Sequence, residues 1–122
     1  MNNADIAKQS YLAYVLSDRA ANEAVIAADF HFTSPLDNRL DRATYFHRYW
    51  PNNESIVDFQ FVRVIESADE VVVTYQGTNA NGKKFRNTEV LTIRDGQIVE
   101  AEVYFGWNLP HEAPLGGFVE SM

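Results

Sequence analysis

Hydrophobic residues recur at helical spacing in the first half of the chain and at strand spacing in the second half. The first half predicts three helices over residues 6–16, 19–27 and 42–50, the first of them capped by Asn2 or Asn3. Between the second and third helices, apolar and polar residues alternate over 30–34, which predicts a short strand that Pro35 ends. Residues 36–40 are then expected to form a loop.

The second half is predicted to be an antiparallel meander of four strands. These strands cover residues 56–65, 71–79, 84–93 and 98–105. Two of the connections, Asn81-Gly82 and Asp95-Gly96, are strong hairpin signals because glycine adopts the positive φ that tight turns require. The third connection, near Ala68, is a softer turn signal.

The order of these elements predicts an α+β domain. Three N-terminal helices would cover one face of a curved antiparallel sheet, which consists of a short first strand and the four-strand meander. Long strands twist and curl, and a curled sheet with helices over its mouth forms a cone whose interior is a natural pocket. We place this domain at residues 1–107 and expect residues 108–122 to be an irregular tail, since they hold Pro110, Pro114 and Gly116.

The composition fits one compact domain and narrows the range of partners. The chain has 122 residues, of which 46% are hydrophobic, and its net charge of −7 argues against nucleic acid and anionic membranes as partners. No stretch approaches a membrane span, and residues 1–10 do not resemble a secretory leader. The absence of cysteine excludes disulfides and thiolate chemistry. We expect a cytoplasmic protein, although lack of cysteine alone does not identify the compartment.

An isolated acid lies in the middle of an apolar strand row. Because strand side chains alternate in direction, Glu89 shares one face with Phe85, Asn87 and Leu91. Such an acid either has a structural partner, for which Arg63 or a tyrosine is available, or it has a chemical role. In the second case, burial would raise its pKa and keep it neutral, so that it could donate a hydrogen bond to a developing oxyanion.

Three further residues are candidates for chemistry beside Glu89. Tyr11 offers an uncharged phenolic donor from the first helix, although a tyrosine in such a stripe is often part of the core. His31 could act as a general base, but strand alternation turns it away from the pocket if its phenylalanine neighbours face inward. Asp37 follows Pro35 in a loop at the rim, where its side chain either turns inward or remains solvated.

The walls of the predicted pocket are mainly aromatic and aliphatic. The residues expected to contact a ligand are Phe30, Phe32, Ser34, Trp50, Asn87, Val103 and Phe105. On the last strand, the inward row is expected to be Val99, Ala101, Val103 and Phe105. Trp50 belongs to an aromatic cluster on the third helix, which is either packing or a lid that senses the ligand.

The order of the motifs resembles the nuclear transport factor 2-like superfamily, and within it the SnoaL-like branch. The likeness rests on helices followed by Phe32-Thr33-Ser34-Pro35, a third helix, and a meander that closes on Tyr104-Phe105-Gly106, and it covers residues from about 11 to 107. The resemblance implies the cone fold and frequent dimers. It does not imply one activity, because members range from isomerases, cyclases, dehydratases and epoxide hydrolases to proteins without catalysis.

Part of a steroid delta-isomerase site is also recognisable. Those enzymes carry an aspartate just before a proline at the end of the first strand, where this chain has Ser34. They add a tyrosine from the first helix, matched here by Tyr11 within one residue, and a protonated acid on the third meander strand, matched by Glu89. The missing aspartate argues against the same proton shuttle, because a serine hydroxyl is no base near neutral pH without help.

These observations favour a small-molecule pocket protein. The leading interpretation is a cofactor-independent lyase or isomerase, which could equally be a dehydratase or a cyclase, acting on an apolar substrate with a carbonyl or hydroxyl group. Glu89 and Tyr11 would stabilise charge, and Asp37 or His31 would move protons. The alternative is a non-catalytic ligand-binding or dimerisation module of the same fold, with Glu89 as a buried hydrogen-bonding residue.

Other site types and partners can be weighed in the same way. The three histidines lack metal-site spacing, and neither a phosphate-cradling glycine loop nor a serine-hydrolase elbow is present, so no metal or cofactor is expected. The expected partners are a small apolar molecule and a second copy of the chain. The homodimer would form through the outer sheet face, which is predicted to carry Val62, Val64, Val72, Thr74, Gln76 and Thr78.

Overall fold

The computed structural model describes residues 2–120, which form three helices, one 3-10 helix and a six-stranded sheet. The helices are α1 (Asn3–Val15), α2 (Arg19–Val25) and α3 (Arg42–Tyr49), and the 3-10 helix η1 (Trp50–Glu54) follows α3. The strands are β1 (Ile26–Ser34), β2 (Asp37–Asp41), β3 (Ile56–Ser67), β4 (Glu70–Asn79), β5 (Lys84–Arg94) and β6 (Gln97–Leu109). The predicted α+β class, with helices over a curved and open sheet, is confirmed.

The sheet order is β2-β1-β6-β5-β4-β3. Strand β1 pairs parallel with β6, and every other neighbouring pair is antiparallel. The predicted meander is therefore confirmed as β3 to β6, and β1 joins it beside the last strand rather than the first. This order brings the end of β1 close to the inner face of β6, where the pocket forms.

Local sequence explains where the helices begin. Asn2, Asp18 and Asp41 cap α1, α2 and α3, each accepting a hydrogen bond from the backbone N–H three residues on, at 2.8, 3.1 and 2.9 Å. Helix α2 ends two residues before the predicted end. The β-branched pair Val25 and Ile26 favours extended backbone, and Ile26 already pairs with Ile98 on β6.

The predicted loop over residues 36–40 is wrong. Strand β2 occupies this segment and pairs antiparallel with β1, with Phe32 opposite Leu40 and Ser34 opposite Asp37. The strand is short, lies at the edge of the sheet and exposes Arg39. Such an edge strand carries little of the apolar alternation on which sequence patterns depend.

A bulge in β6 changes which residues face inward. Thr92 pairs with Glu100 but Ile93 pairs with Ile98, so Val99 is an extra residue on β6. As a result Ile98, at 1% exposure, occupies the inward position that the sequence assigned to Val99.

A second bulge in β3 corrects the predicted outer face. Arg63 pairs with Thr74, whereas Val64 pairs with Val73, which is fully buried. Val64 therefore packs against the core instead of lying on the outer face. The extra residue is Val62, because the register shifts between Phe61 and Arg63.

The hydrophobic core lies between the helices and the inner face of the sheet. Its largest fully buried side chains are Phe30, Val71, Val73 and Ile98. Strand β6 extends to Leu109, past both the predicted end of the strand at 105 and the predicted domain boundary at 107, and residues 110–120 contain neither helix nor strand. Residues 1, 121 and 122 of the predicted domain and tail lie outside the described residues. No helix within residues 2–120 is long and apolar enough to cross a membrane.

Candidate functional site

The inner face of the sheet, together with α1 and α3, encloses a cavity of about 280 Å³. Six of the predicted ligand-contacting residues line it, namely Phe30, Phe32, Ser34, Asn87, Val103 and Phe105. Further apolar lining comes from Ile26, Phe59, Phe85, Leu91 and Ile98. The size and apolar wall suit a small organic molecule, and the aromatic side chains that could have filled this space surround it instead.

Glu89 points into the cavity from the middle of β5. Its neighbours in the sheet are Val73 on β4 and Val103 on β6. The Glu89 side chain is only partly covered by protein atoms because it borders the cavity, and the cavity itself lies within the protein. Burial raises the pKa of Glu89 to about 7, although the nearby hydroxyl groups of Tyr75 and Tyr11 lower it in part. Near neutral pH the carboxyl is therefore present in both protonation states.

Two phenols support the ionised form of Glu89. Burial and the charge of Glu89 raise the pKa of Tyr11 and of Tyr75, so both hydroxyls keep their protons. The Tyr11 hydroxyl lies toward Glu89 but forms no hydrogen bond of normal geometry with any residue from 2 to 120. The Tyr75 oxygen accepts a bond from Asn87 Nδ2 at 3.4 Å, which leaves the Tyr75 proton for Glu89.

The alternative that paired Glu89 with a cation is not what the structure has. Arg63 lies on the outer face of the sheet, where its Nη1 donates to Thr74 Oγ1 at 3.1 Å. Among the described residues, Glu89 takes part in no ion pair. Its polar neighbours are the tyrosines Tyr11 and Tyr75. No lysine or arginine is among the described residues that line the cavity, so the charge of Glu89 has no compensating cation there.

Tyr45 on α3 is a cavity residue that the sequence did not single out. Its ring packs on Phe30 and Phe32, with ring centres 5.0 and 4.9 Å apart. Burial, and then the charge of Glu89, raise the pKa of Tyr45, so its hydroxyl keeps its proton. The Tyr14 and Tyr49 hydroxyls donate to protein oxygens, whereas the Tyr45 hydroxyl has no such partner within residues 2–120. It is a free donor in the cavity.

Asp37 does not turn into the cavity, so the alternative that made it a proton carrier there is not what the structure has. It accepts hydrogen bonds from Ser34 Oγ, at 2.7 Å, and from the Tyr49 hydroxyl, and its Oδ1 lies 2.8 Å from Arg48 Nε. Burial alone would raise the pKa of Asp37, but the bonds from Tyr49 and Ser34 and the charge of Arg48 outweigh it and lower the pKa. A carboxylate held in this way is a weak base.

His31 and Trp50 also lie outside the cavity lining. His31 is on the opposite face of β1, where Arg39 Nη2 is 3.1 Å from its Nδ1. Trp50 packs edge-on against Tyr14, with ring centres 5.7 Å apart, and so supports the wall from behind. The structure brings Glu89 and Tyr11 together but adds neither of the two predicted proton carriers to them.

The cavity thus has one group suited to proton transfer near neutral pH. Its ionisable lining residues are Glu89 and the tyrosines at 11, 14, 45, 49 and 75. Residues 2–120 contain no cluster of three or more histidine or acidic side chains placed to hold a metal ion. The chemistry that these side chains can supply is proton transfer through Glu89 and hydrogen-bond donation from phenols.

Comparisons with solved structures identify the same fold in several bacterial proteins. A protein of unknown function with a cystatin-like fold from Xanthomonas campestris is 24% identical, with a TM-score of 0.72 over 87% of this chain and 92% of that one. A proposed polyketide cyclase from Sinorhizobium meliloti is 21% identical, with a TM-score of 0.69 over 81% and 93% of the two chains. A proposed hydroxylase from Streptomyces galilaeus is 17% identical, with a TM-score of 0.65 over 84% and 73%.

These identities are low enough that the structural matches show the fold alone. Among curated proteins, no sequence match is found. The model of the SnoaL-like domain family matches residues 7–101, which run from within α1 to the first five residues of β6. The chain therefore belongs to the SnoaL-like domain family, in the nuclear transport factor 2-like superfamily.

Proposed function

We propose that this protein is a cofactor-independent enzyme that moves a proton on a small apolar carbonyl compound, with Glu89 taking up and returning the proton. The observation that carries the proposal is a single carboxyl group, with a pKa of about 7, inside an apolar cavity. A general base works best when its pKa lies near the working pH, because enough of it is ionised and it still binds a proton strongly.

The proposed step needs no second proton carrier. The Glu89 carboxylate removes a proton from the carbon next to the carbonyl group. The electron pair of that C–H bond forms a carbon–carbon double bond, and the π pair of the carbonyl group moves onto its oxygen. The resulting enolate accepts a hydrogen bond from Tyr45. If a carbon–carbon double bond adjoins the deprotonated carbon, the neutral Glu89 carboxyl returns its proton to the far end of that double bond, which isomerises the compound. If the compound has a second carbonyl group, the enolate carbon attacks that carbonyl carbon and closes a ring, and Glu89 gives its proton to the alkoxide oxygen that forms.

Tyr45 is assigned to the carbonyl oxygen because it lines the same cavity as Glu89 and its hydroxyl donates to no protein atom within residues 2–120. Tyr11, which the sequence suggested for this role, has a fully buried hydroxyl directed at Glu89. We therefore give Tyr11 the role of supporting the Glu89 carboxylate. The proposed polyketide cyclase among the similar structures is compatible with this scheme, because ring closure between two carbonyl groups begins with the same proton removal.

The proposal can be tested before the natural substrate is identified. β-Tetralone has acidic protons beside its carbonyl group, and their exchange with deuterium in D₂O can be followed by NMR. We expect the protein to accelerate this exchange, and Glu89→Gln to lower the protein-dependent rate by roughly a hundredfold or more. Tyr45→Phe should lower it by about tenfold or more, since it removes the proposed oxyanion donor.

Glu102→Gln is the matched control, because Glu102 lies on the outward side of β6 and is exposed. It should leave the exchange rate unchanged. β-Naphthol, a flat analogue of the enol of β-tetralone, serves as the binding probe. If β-naphthol binds in the cavity but the exchange of β-tetralone stays at the buffer rate, the proposal fails and the non-catalytic binding module is the better description.

A further inference from the structure

Two hydroxyl groups that line the cavity have their protons committed elsewhere. Ser34 Oγ donates to Asp37 Oδ2 at 2.7 Å, and the Tyr49 hydroxyl donates to the same oxygen. Arg48 Nε lies 2.8 Å from the other carboxyl oxygen of Asp37. Because that carboxylate is ionised, it can only accept hydrogen bonds. Ser34 and Tyr49 line the cavity and Asp37 does not, so the two protons point away from the cavity.

At Ser34 and Tyr49, only the lone pairs of the hydroxyl oxygens remain available to a ligand. Ser34 Oγ already accepts a bond from the backbone N–H of Leu36 at 3.0 Å, which leaves one of its two lone pairs. Tyr49 is covered on its ring face by Arg48, 5.5 Å from the ring centre. Asn52 follows on η1 and also lines the cavity, but its exposed amide both donates and accepts and favours neither kind of ligand group.

The hydrogen-bonding character of the cavity therefore differs between its two polar regions. Tyr45, which lines the cavity together with Glu89, offers a proton that no protein atom within residues 2–120 accepts, and this suits a carbonyl oxygen. At Ser34 and Tyr49 only acceptors are available, so a ligand carbonyl placed there would face lone pairs and leave its own oxygen without a partner, which is unfavourable inside a protein. A ligand hydroxyl placed there would instead supply the missing proton.

We propose that the substrate carries a hydroxyl group in addition to the reacting carbonyl, and that Ser34 and Tyr49 accept a hydrogen bond from it. This inference rests on the proposed function for the carbonyl end of the molecule. It assigns the substrate to the hydroxylated carbonyl compounds, such as phenolic ketones. Asp37 is then a positioning residue, because it holds both hydroxyl groups as acceptors without touching the ligand.

The test compares the affinity of β-naphthol with that of naphthalenediols that carry a second hydroxyl at different ring positions. At least one diol should bind about fivefold more tightly than β-naphthol, which is the worth of one neutral hydrogen bond. The monomethyl ether of that diol, which has an oxygen but no proton at the second position, should lose the gain. Dissociation constants come from titrations followed by tyrosine and tryptophan fluorescence.

Variants then locate the acceptors. Ser34→Ala and Tyr49→Phe should each reduce the ratio between the diol and β-naphthol affinities, whereas Ser67→Ala, at the exposed end of β3, should leave the ratio unchanged. Asp37→Asn gives a readout that loss of structure would not produce. Its amide can donate, so the Ser34 and Tyr49 protons become free to turn inward, and the variant should discriminate less between the diol and its ether.

Each outcome bears on one of the two proposals. If no diol binds more tightly than β-naphthol, or if the preference survives both Ser34→Ala and Tyr49→Phe, the inference about the hydroxyl group is wrong. The exchange of β-tetralone would still support the proposed function in that case. If instead a diol shows the preference but no exchange of β-tetralone is seen, the hydroxyl site stands as a binding site and the catalytic role of Glu89 fails.

Discussion

At the scale of single residues, the protonation state of Glu89 affects the stability of the folded protein. Its pKa is about 7 in the folded protein, against an ordinary value of 4.5. Between these pH values the folded state keeps a proton that the unfolded state releases, so folding stability falls as pH rises through this window. The difference of about 2.5 units, from 7 minus 4.5, corresponds to about 3 kcal/mol.

We therefore expect Glu89→Gln to change how stability depends on pH. Glutamine cannot ionise, so the variant should gain stability relative to the natural protein as pH rises from 4.5 to above 7, by up to about 3 kcal/mol. Urea unfolding of both proteins at a series of pH values measures this difference. A difference that does not vary with pH would show that Glu89 is solvated and ionised like a surface acid.

Asp37 should show the opposite pH dependence. Its pKa is lowered in the folded state, so its contribution to stability is present above its ordinary pKa and is lost as pH falls through the folded value. We expect Asp37→Asn to lose roughly 1 to 2 kcal/mol at neutral pH, and less in acid. Asp58→Asn is the control, because Asp58 is exposed on β3. Equal losses for the two variants would contradict the expectation.

Sequence reasoning placed some of these residues well and missed others for a physical reason. The period of two along β5 was enough to place Glu89 and Asn87 on the cavity side. Tyr45 could not be recognised, because an aromatic residue at helical spacing has the same pattern whether it packs or presents its hydroxyl. Asp37 was misplaced because its direction depends on tertiary contacts. The pairing of β1 with β2 puts Ser34 opposite Asp37, and Arg48 and Tyr49 reach Asp37 from α3.

At the scale of elements, β5 and β6 lie close together at Gly106. A Cβ atom on Gly106 would overlap the backbone oxygen of Arg86. The Gly106 N–H also donates to Asn87 Oδ1 at 3.1 Å. That bond holds the side-chain amide of Asn87, whose Nδ2 donates to the Tyr75 hydroxyl oxygen. The pairing of β5 with β6 therefore affects the position of a residue beside Glu89.

We expect Gly106→Ala to destabilise the protein by about 2 to 3 kcal/mol, because backbone cannot move aside as a side chain can. Asn108→Ala, on the same strand and exposed, should change stability by less than about 0.5 kcal/mol. Chemical denaturation of the three proteins at one pH gives both values. If the two substitutions had similar effects, the strands would be free to separate at Gly106.

The elements were predicted where turn chemistry or strong periodicity marked them. Asp95 and Gly96 both have positive φ, at 51° and 77°, as a tight hairpin between two long strands requires. The bulges at Val62 and Val99 were not predictable in this way. Each inserts one residue into a strand without changing its apolar character, and only the pairing with the neighbouring strand shows the insertion.

At the scale of the whole molecule, the corrected outer face of the sheet carries an apolar row across three strands. Ile65 pairs with Val72, and Val72 pairs with Val90. The row lies on the side of the sheet away from the helices, and Ile65 is 51% exposed in the single chain. We therefore still predict a homodimer through this face, with Ile65 and Val90 in place of Val64 among the contact residues.

We expect size-exclusion chromatography with light scattering to give twice the chain mass of 13.9 kDa. Val90→Asp should shift the protein to the monomer mass, because a dimer interface would bury the new charge without a partner. Leu12→Asp, on the exposed side of α1, should leave the mass unchanged. A natural protein that runs at the monomer mass would show that the outer face does not pair.

The order of the elements predicted the cone and a pocket inside it, but it did not predict whether the interior would be open or filled by side chains. The sequence could not decide whether Phe30, Phe32 and Phe59 fill the interior or surround it, because both arrangements use the same inward positions. The packing of Tyr45 on Phe30 and Phe32 decides the question, since it holds these rings against α3 and away from the centre.

The positions of Glu89 and Tyr49 on different parts of the chain also bear on how such a site can diversify. Glu89 is fixed in the centre of the sheet, whereas Tyr45, Tyr49 and Asn52 all lie on one short stretch, residues 42–54, between β2 and β3. That stretch contributes no residue to the strand ladder. Replacing α3 and η1 would therefore alter the surroundings of the ligand, including the Tyr45 donor, and leave the Glu89 carboxyl in place on β5.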